Sequence, residues 1–378
     1  SDYIRIAGCT FRGTYTGPLD TSPDWLPPGI SGAHSRGVSN YNGKNVIVER
    51  CDFAGLDKDG GKILGRIVRC GNTSIRHQYF AENTATEIGP HSSIEGINHN
   101  LGELYLFHLM YPHGGLFDVV EADAEFVTTA TGNLENARHG PRGLGVTGPE
   151  FSQIIDDVGA SDHWILYIYK GRGVGQYRVV DGLERLPGKA VFRVRRPWRV
   201  TPDRTSRVVL TVAYRENIVH NNVTDAGEYP NDEKTQGVLF WYNAFDNLVA
   251  DNTFRNVSGG VTISSLYRNP TGFNQVIGNR FESLLPWKHP MKGETTRPFV
   301  AEQFQVPETG WADPEDRAWY SIGNTFRGNT GRDGSWVASL RHTYLSRDVW
   351  PEPVPHPDSG LMMSVLEHNA FSGIPKGI

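Results

Sequence analysis

A six-residue phrase recurs along this chain: an aliphatic residue, two variable residues, then Asn or Cys in most copies, one variable residue, and usually Phe. It reads IAGCTF at Ile6–Phe11, VERCDF at Val48–Phe53, IRHQYF at Ile75–Phe80, VADNTF at Val249–Phe254, VIGNRF at Val276–Phe281, SIGNTF at Ser321–Phe326 and LEHNAF at Leu366–Phe371. A degenerate copy, VHNNV, covers Val219–Val223. The fourth positions are Cys9, Cys51, Gln78, Asn222, Asn252, Asn279, Asn324 and Asn369, spaced 42, 27, 144, 30, 27, 45 and 45 residues apart. A spacing of 27–30 suits one turn of a β-solenoid. One of 42–45 suits a turn with a long loop, or two turns of which one lacks the phrase. Stacked turns align equivalent residues, so Phe and Val form inward ladders and a repeated Asn can hydrogen-bond its neighbours above and below. Helices are excluded by the alternation within the phrase and by Gly, Pro and Asn interrupting every longer window.

The 144-residue gap is the second constraint. Longer alternating stretches fill it: WILYIYK at Trp164–Lys170, QYRVV at Gln176–Val180, AVFRV at Ala190–Val194 and RVVLTV at Arg207–Val212. Glycine turns at Gly171–Gly175 and Pro187–Gly188 separate them as hairpins require, so an antiparallel barrel or sandwich is expected to bud from one solenoid turn. The expected division is 1–115 for the first part of the solenoid, 116–213 for the insert and 214–378 for the second part. Gly171-Arg-Gly-Val-Gly175 sits between two strands with no helix after it, and so reads as a turn rather than a phosphate loop.

Composition supports a turn-rich chain: 43 Gly and 23 Pro are about 17 % of the 378 residues, against an average of about 12 %. Three cysteines, Cys9, Cys51 and Cys70, with no CxxC spacing, argue against a disulfide framework or zinc site. Cys9 and Cys51 share the fourth phrase position, which predicts buried thiols. No run of 18 apolar residues exists to span a membrane. The chain begins at Ser1 in a strand pattern without an initiator Met or leader, so a processed product with sequence in front is expected.

The phrases, together with GRGVGQYRVV (Gly171–Val180) and RRPWRVTPDRTS (Arg195–Ser206), resemble bacterial secreted right-handed parallel β-helix repeat proteins of the pectate-lyase-like and tailspike-like kind. The resemblance covers most of the chain through ladder positions and insert, not through a catalytic signature. It implies an all-β fold, a right-handed parallel β-helix with an inserted antiparallel subdomain, secreted or at the cell surface. That group includes pectate and alginate lyases, chondroitinase-like lyases, polygalacturonase-like hydrolases, uronan epimerases and non-catalytic fibres, so it implies carbohydrate without choosing a reaction. The paired-Asp signature of polygalacturonases is not found in its usual form.

Three constellations carry candidate chemistry. Asp225, Glu228, Asp232, Glu233 and Lys234 follow the VHNNV phrase and its His220. Asp232 or Glu228 could serve as acid/base or Ca²⁺ ligand, with Lys234 or His220 as base; a solvated polar loop is the other reading. His91, His99, Glu103 and His113 belong to a stretch unusually rich in His and acids, without HExxH or another strong metal spacing. From Lys170 to Arg215 stand twelve bases against three acids, on a chain of net charge −5. Arg193, Arg195, Arg196 and Arg199 lie at its centre, and guanidinium forks bind carboxylates and sulfates bidentately. The alternative is that these arginines pair with acids and seat the insert. Trp241 and Tyr242 could stack on sugar rings or pack loops.

These readings converge on an extracellular protein acting on an acidic polysaccharide, as lyase or glycoside hydrolase. No nucleic-acid module accompanies the basic stretch. The rival is a structural or assembly module, such as a fibre, forming a homo-oligomer or joining other chains; a non-catalytic carbohydrate-binding protein is a third reading.

Overall fold

The computed structural model describes residues 3–12, 36–41, 44–54, 66–71, 76–86, 103–108, 113–130, 158, 164–225, 236–241, 243–257, 259–266, 270–282, 287–289, 293–295, 299–306, 320–333, 338–344 and 360–373. Among these the fold is all-β: three large parallel sheets and one closed antiparallel barrel, with a short hairpin pairing Trp287–His289 with Gly293–Thr295.

The chain visits the three parallel sheets in one order, pass after pass. Ile218–His220 lies in the first sheet, Val223–Asp225 in the second and Gln236–Trp241 in the third. Leu248–Ala250, Thr253–Arg255 and Gly259–Leu266 then repeat the circuit and pair in parallel with the strands before them. Strands on the amino-terminal side of the barrel obey the same order, and Arg76–Ala81 pairs directly with Ile218–His220. The stack is therefore continuous across the excursion that the barrel makes.

Parallel strands buried on one face place identical positions in line, and the interior shows it. Val48, Phe80, Val219, Val249, Val276 and Phe326 form one inward ladder of the first sheet. In the second sheet Phe254 stacks on Phe281, centroids 5.6 Å apart and 12° between planes. Gly260, on the third sheet facing these rings, tolerates no side chain: a Cβ would stand 1.9 Å from the Phe299 carbonyl oxygen and 2.5 Å from the Phe281 ring. Each such buried ring contributes on the order of 2 kcal/mol from area removed from water.

The repeated Asn does what its place in the phrase predicts, in two ladders rather than one. Among the described residues, successive passes turn at two recurring corners where one residue adopts a left-handed backbone and the next, most often Asn, points its side chain inward. At one corner Asn217, Asn247, Asn274 and Asn324 form a ladder in which each backbone N–H donates to the next side-chain oxygen, and Gln78 donates to Asn217. At the other, Cys51, Asn83, Asn222, Asn252, Asn279, Asn329 and Asn369 do the same, at separations of 32, 139, 30, 27, 50 and 40 residues. Gln78 and Asn324 thus belong to a different ladder from the other phrase positions. Cys9 and Cys51 are free thiols; Cys51 is buried as expected, whereas Cys9 is exposed.

The barrel closes through His113–Ala122, Phe126–Ala130, Lys189–Val194, Tyr177–Leu186, Trp164–Lys170 and Arg207–Val212. Trp164, Leu166 and Ile168 point into it, and Ile165, Tyr167 and Tyr169 point outward against Phe245 and Ile322 of the first parallel sheet. Burial on both faces is why WILYIYK is apolar without alternation. Gly171–Gly175 is a turn, as expected, and Gly171 is required there: its φ is +80° and a Cβ would meet the Thr205 carbonyl oxygen at 1.9 Å.

Candidate functional site

Where the barrel meets the first sheet, a cleft of about 800 Å³ opens. The stacked sheets supply Arg76, His77, Arg215, Glu216, Asp246 and Phe273; the barrel supplies Gln176, Tyr177, Arg178, Arg195, Arg196, Pro197 and Arg199.

The sheet side is built by the left-handed corner. His77, Glu216, Asp246 and Phe273 have φ between 52° and 59° and precede Gln78, Asn217, Asn247 and Asn274 of the first ladder. The inward amide fixes the corner and turns the preceding side chain out, so successive passes place His77, Glu216, Asp246 and Phe273 in one outward row. Rungs of parallel sheet lie about 4.8 Å apart, so Glu216 and Asp246 are immediate neighbours. Non-glycine residues in this conformation cost about 1 kcal/mol each, which the ladder offsets.

The barrel side is held by Gln176 and Trp198. Gln176 Oε1 accepts the Arg199 and Val200 backbone N–H groups at 3.0 and 3.2 Å, and its Nε2 donates to the Val200 carbonyl at 2.9 Å. Trp198 is buried, its backbone N–H bonded to the Ala124 carbonyl at 2.9 Å, and the Arg178 guanidinium lies 5.1 Å from its ring centre. Arg195, Arg196 and Arg199 flank this anchored Trp on exposed positions.

Polar contacts cross and line the cleft. The Tyr177 hydroxyl donates to Asp246 Oδ2 in a short hydrogen bond. Glu216 takes Arg215 on one oxygen at 2.8 Å and His77 Nε2 on the other at 2.6 Å, and His77 Nδ1 faces Asn45 Oδ1 at 2.9 Å. Burial, then the Asp246 charge, pushes the Tyr177 phenol far up, so it remains a donor. Asp246 keeps an open face, yet the walls strip enough water to raise its carboxyl; the Tyr177 hydrogen bond opposes this and Glu216 adds to it. Burial, then Arg215, lowers Arg76; burial, then Arg199, lowers Arg178. The charge part of both shifts includes arginine acting on neighbouring arginine, so the cleft concentrates positive charge.

Arg195, Arg196 and Arg199 reach this cleft, while Arg193 turns to Asp181 at 2.9 Å. Asp225 accepts the Asn256 amide at 2.7 Å on the second sheet, and His220 faces Asp251 at 3.4 Å, so neither lines the cleft. Glu103 opens a strand of the third sheet opposite Gln236, His113 opens the barrel's first strand opposite Thr211, and Trp241 sits between His108 and Ser264 in register. Glu228, Asp232, Glu233, Lys234, His91, His99 and Tyr242 lie outside the described residues. Among the described residues no group of three or more His, Cys, Asp or Glu is placed to hold a metal ion, and the acidic loop considered for Ca²⁺ is not among them. No described helix is long and apolar enough to cross a membrane. Sequence reasoning missed Tyr177, Glu216, Asp246 and His77; for the last three the available signal was the position before each ladder amide.

No family model and no curated protein sequence matches the chain. Among solved structures it is similar to the tailspike protein gp49 from Pseudomonas phage LKA1, at 9 % identity and a TM-score of 0.23, over 82 % of this chain and 51 % of that one. It is also similar to a glycoside hydrolase, at 10 % identity and a TM-score of 0.17, over 98 % of this chain and 97 % of the other. The chain thus spans about half the length of the tailspike, at 51 %.

Proposed function

We propose that the three stacked sheets form a right-handed parallel β-helix, that 116–213 is its inserted subdomain, and that the chain binds an acidic polysaccharide in the cleft between them, at the cell surface or outside the cell. One observation carries this reading: six arginines, Arg76, Arg178, Arg195, Arg196, Arg199 and Arg215, line one cleft against two carboxylates, Glu216 and Asp246. Guanidinium forks match sugar carboxylates and sulfates. A glycan spaces its charges with hydroxyls, which can donate to Glu216 and Asp246. A nucleic-acid strand, charged at every residue, would meet those carboxylates with phosphate.

The test is binding of polygalacturonate, alginate, hyaluronan and chondroitin sulfate, with dextran and single-stranded DNA as controls. At least one acidic glycan should bind, and affinity should fall with salt as screening shortens the reach of the arginines. Arg196 and Arg199 make no ion pair among the described residues, so R196Q and R199Q should each weaken binding roughly tenfold or more, the worth of a charged hydrogen bond. Binding to dextran or DNA as strong as to every acidic glycan would overturn the reading.

A further inference from the structure

The arginines account for holding a polyanion; they do not account for the two carboxylates set side by side among them. Glu216 and Asp246 stand at equivalent positions of adjacent rungs, outward from consecutive left-handed corners. Resting on the acidic-glycan reading, we infer that Glu216 and Asp246 are a catalytic pair that hydrolyses a glycosidic bond of the polysaccharide held by the arginines.

The two groups have different surroundings, which is what acid and nucleophile roles require. Asp246 lies against the barrel wall, and the Tyr177 hydroxyl bonds its Oδ2, leaving Oδ1 to carry a proton. Glu216 is fixed by Arg215 and His77, one on each oxygen. A carboxylate has about four lone-pair sites, so those bonds leave one free to attack. Carboxyls one rung apart suit double displacement, which uses a pair about 5 Å apart, whereas a pair with water between them needs more than about 6 Å. A Glu216 oxygen bonds to the anomeric carbon as the bond to the leaving sugar breaks; the electron pair goes to the leaving oxygen, and Asp246 gives that oxygen its proton. Asp246 then takes a proton from a water whose oxygen bonds to the anomeric carbon, and the bond to Glu216 breaks with its electron pair returning to the carboxylate. One water is consumed, and both carboxyls are restored. Tyr177 is a positioning residue: it fixes the Asp246 carboxyl plane and does not touch the sugar. Arg215 and His77 hold Glu216 in the same sense. The rungs before and after this pair carry His77 and Phe273, so the pair is confined to one place along the row.

The experiment incubates the protein with whichever of polygalacturonate, alginate, hyaluronan or chondroitin sulfate it binds. Chain length, reducing ends and ultraviolet absorbance of unsaturated uronates are followed together. Shortening with new reducing ends and no such absorbance is expected. D246N and E216Q should each lose turnover by about 100-fold or more, while still folding to the same strand content and still binding the glycan measurably. Loss of activity on the alkaline side of the wild-type profile should report Asp246 losing its proton, and Y177F should move that limb while leaving affinity unchanged. Wild-type protein that binds a glycan without shortening it overturns the catalytic pair but leaves the binding reading intact. So does unsaturated product, or cleavage retained in both carboxamide variants. If no acidic glycan binds, the binding reading itself falls and takes the pair with it.

Discussion

Tyr177 and Asp246 share a short hydrogen bond between a barrel strand and a corner of the stacked sheets. Because burial raises the Asp246 carboxyl above the ordinary 3.8, the unfolded chain releases this proton first as pH climbs. Folding stability is therefore highest below 3.8 as far as this group is concerned. It declines as pH rises from there through the raised folded value, and levels off above it. D246N should remove that slope, so the gap in melting temperature between variant and wild type should widen in the variant's favour across this window. Equal slopes in thermal scans at graded pH would sink the assignment. Y177F should raise Asp246 further, since the phenol's hydrogen bond lowers it; carbon-13 titration of the carboxyl would read the shift. Of the cleft residues, the sequence marked Arg195, Arg196 and Arg199 as candidates and held Arg178 and Arg215 within the same basic stretch. His77 and Glu216 are 139 residues apart along the chain and Tyr177 and Asp246 are 69 apart. The stacking register brings the first two together, and the seating of the barrel on the sheets brings together the second two.

A strand of two or three residues has too little side chain to specify its own register. The Asn ladders supply what such strands lack. Asn252 shows how: its Oδ1 accepts the Asn222 backbone N–H at 3.0 Å and the Asn222 amide at 2.8 Å, while its Nδ2 donates to the Val219 carbonyl at 2.9 Å and to Asn279 at 2.9 Å. N252A would leave the Asn222 N–H and the Val219 carbonyl buried without these partners, and each such group costs about 1–3 kcal/mol. A total loss of roughly 2–5 kcal/mol is expected from chemical denaturation, if the transition is two-state. N369A, at a part-buried last rung, should lose clearly less, because water can reach the groups it abandons. Comparable losses at both positions would mean that the ladder acts by local turn preference rather than by buried hydrogen bonding. The phrase made the existence of the ladder readable, and its inward Phe and Val too. It concealed that there are two ladders, because both corners need the same local chemistry: a residue tolerating positive φ followed by an inward amide. Distances counted between copies at different corners, such as Cys51 to Gln78, therefore do not measure one pass of the chain.

At the scale of the whole molecule the cleft exists only because the barrel is seated on the stacked sheets. Three of its six arginines, Arg195, Arg196 and Arg199, lie in one barrel loop, Arg178 lies in a barrel strand, and Arg76 and Arg215 lie in the sheets. The seam that holds the two bodies together is apolar. Phe245 is fully buried in it, with its ring centre 5.5 Å from that of Tyr167 and 5.1 Å from that of Tyr177, and Gly175 leaves space that Ile322 of the sheets occupies. F245A removes the ring that both tyrosines pack on and should cost about 3–5 kcal/mol. The loss should be local: Phe245 lies outside the ladders that hold the passes, so far-ultraviolet dichroism should keep its strand signature. The barrel should instead loosen on its seat. Glycan affinity should then fall although no charge has changed, because arginines on two bodies must be held in one geometry to engage one polymer, and each degree of freedom released is lost again on binding. Hydrogen exchange should rise first in Trp164–Lys170, the strand buried on both faces. If F245A binds as well as wild type while that strand exchanges faster, the sheet-borne and barrel-borne arginines act independently and the cleft is not a single site. If affinity falls together with protection in that strand, the apolar seam is what makes two half-sites into one.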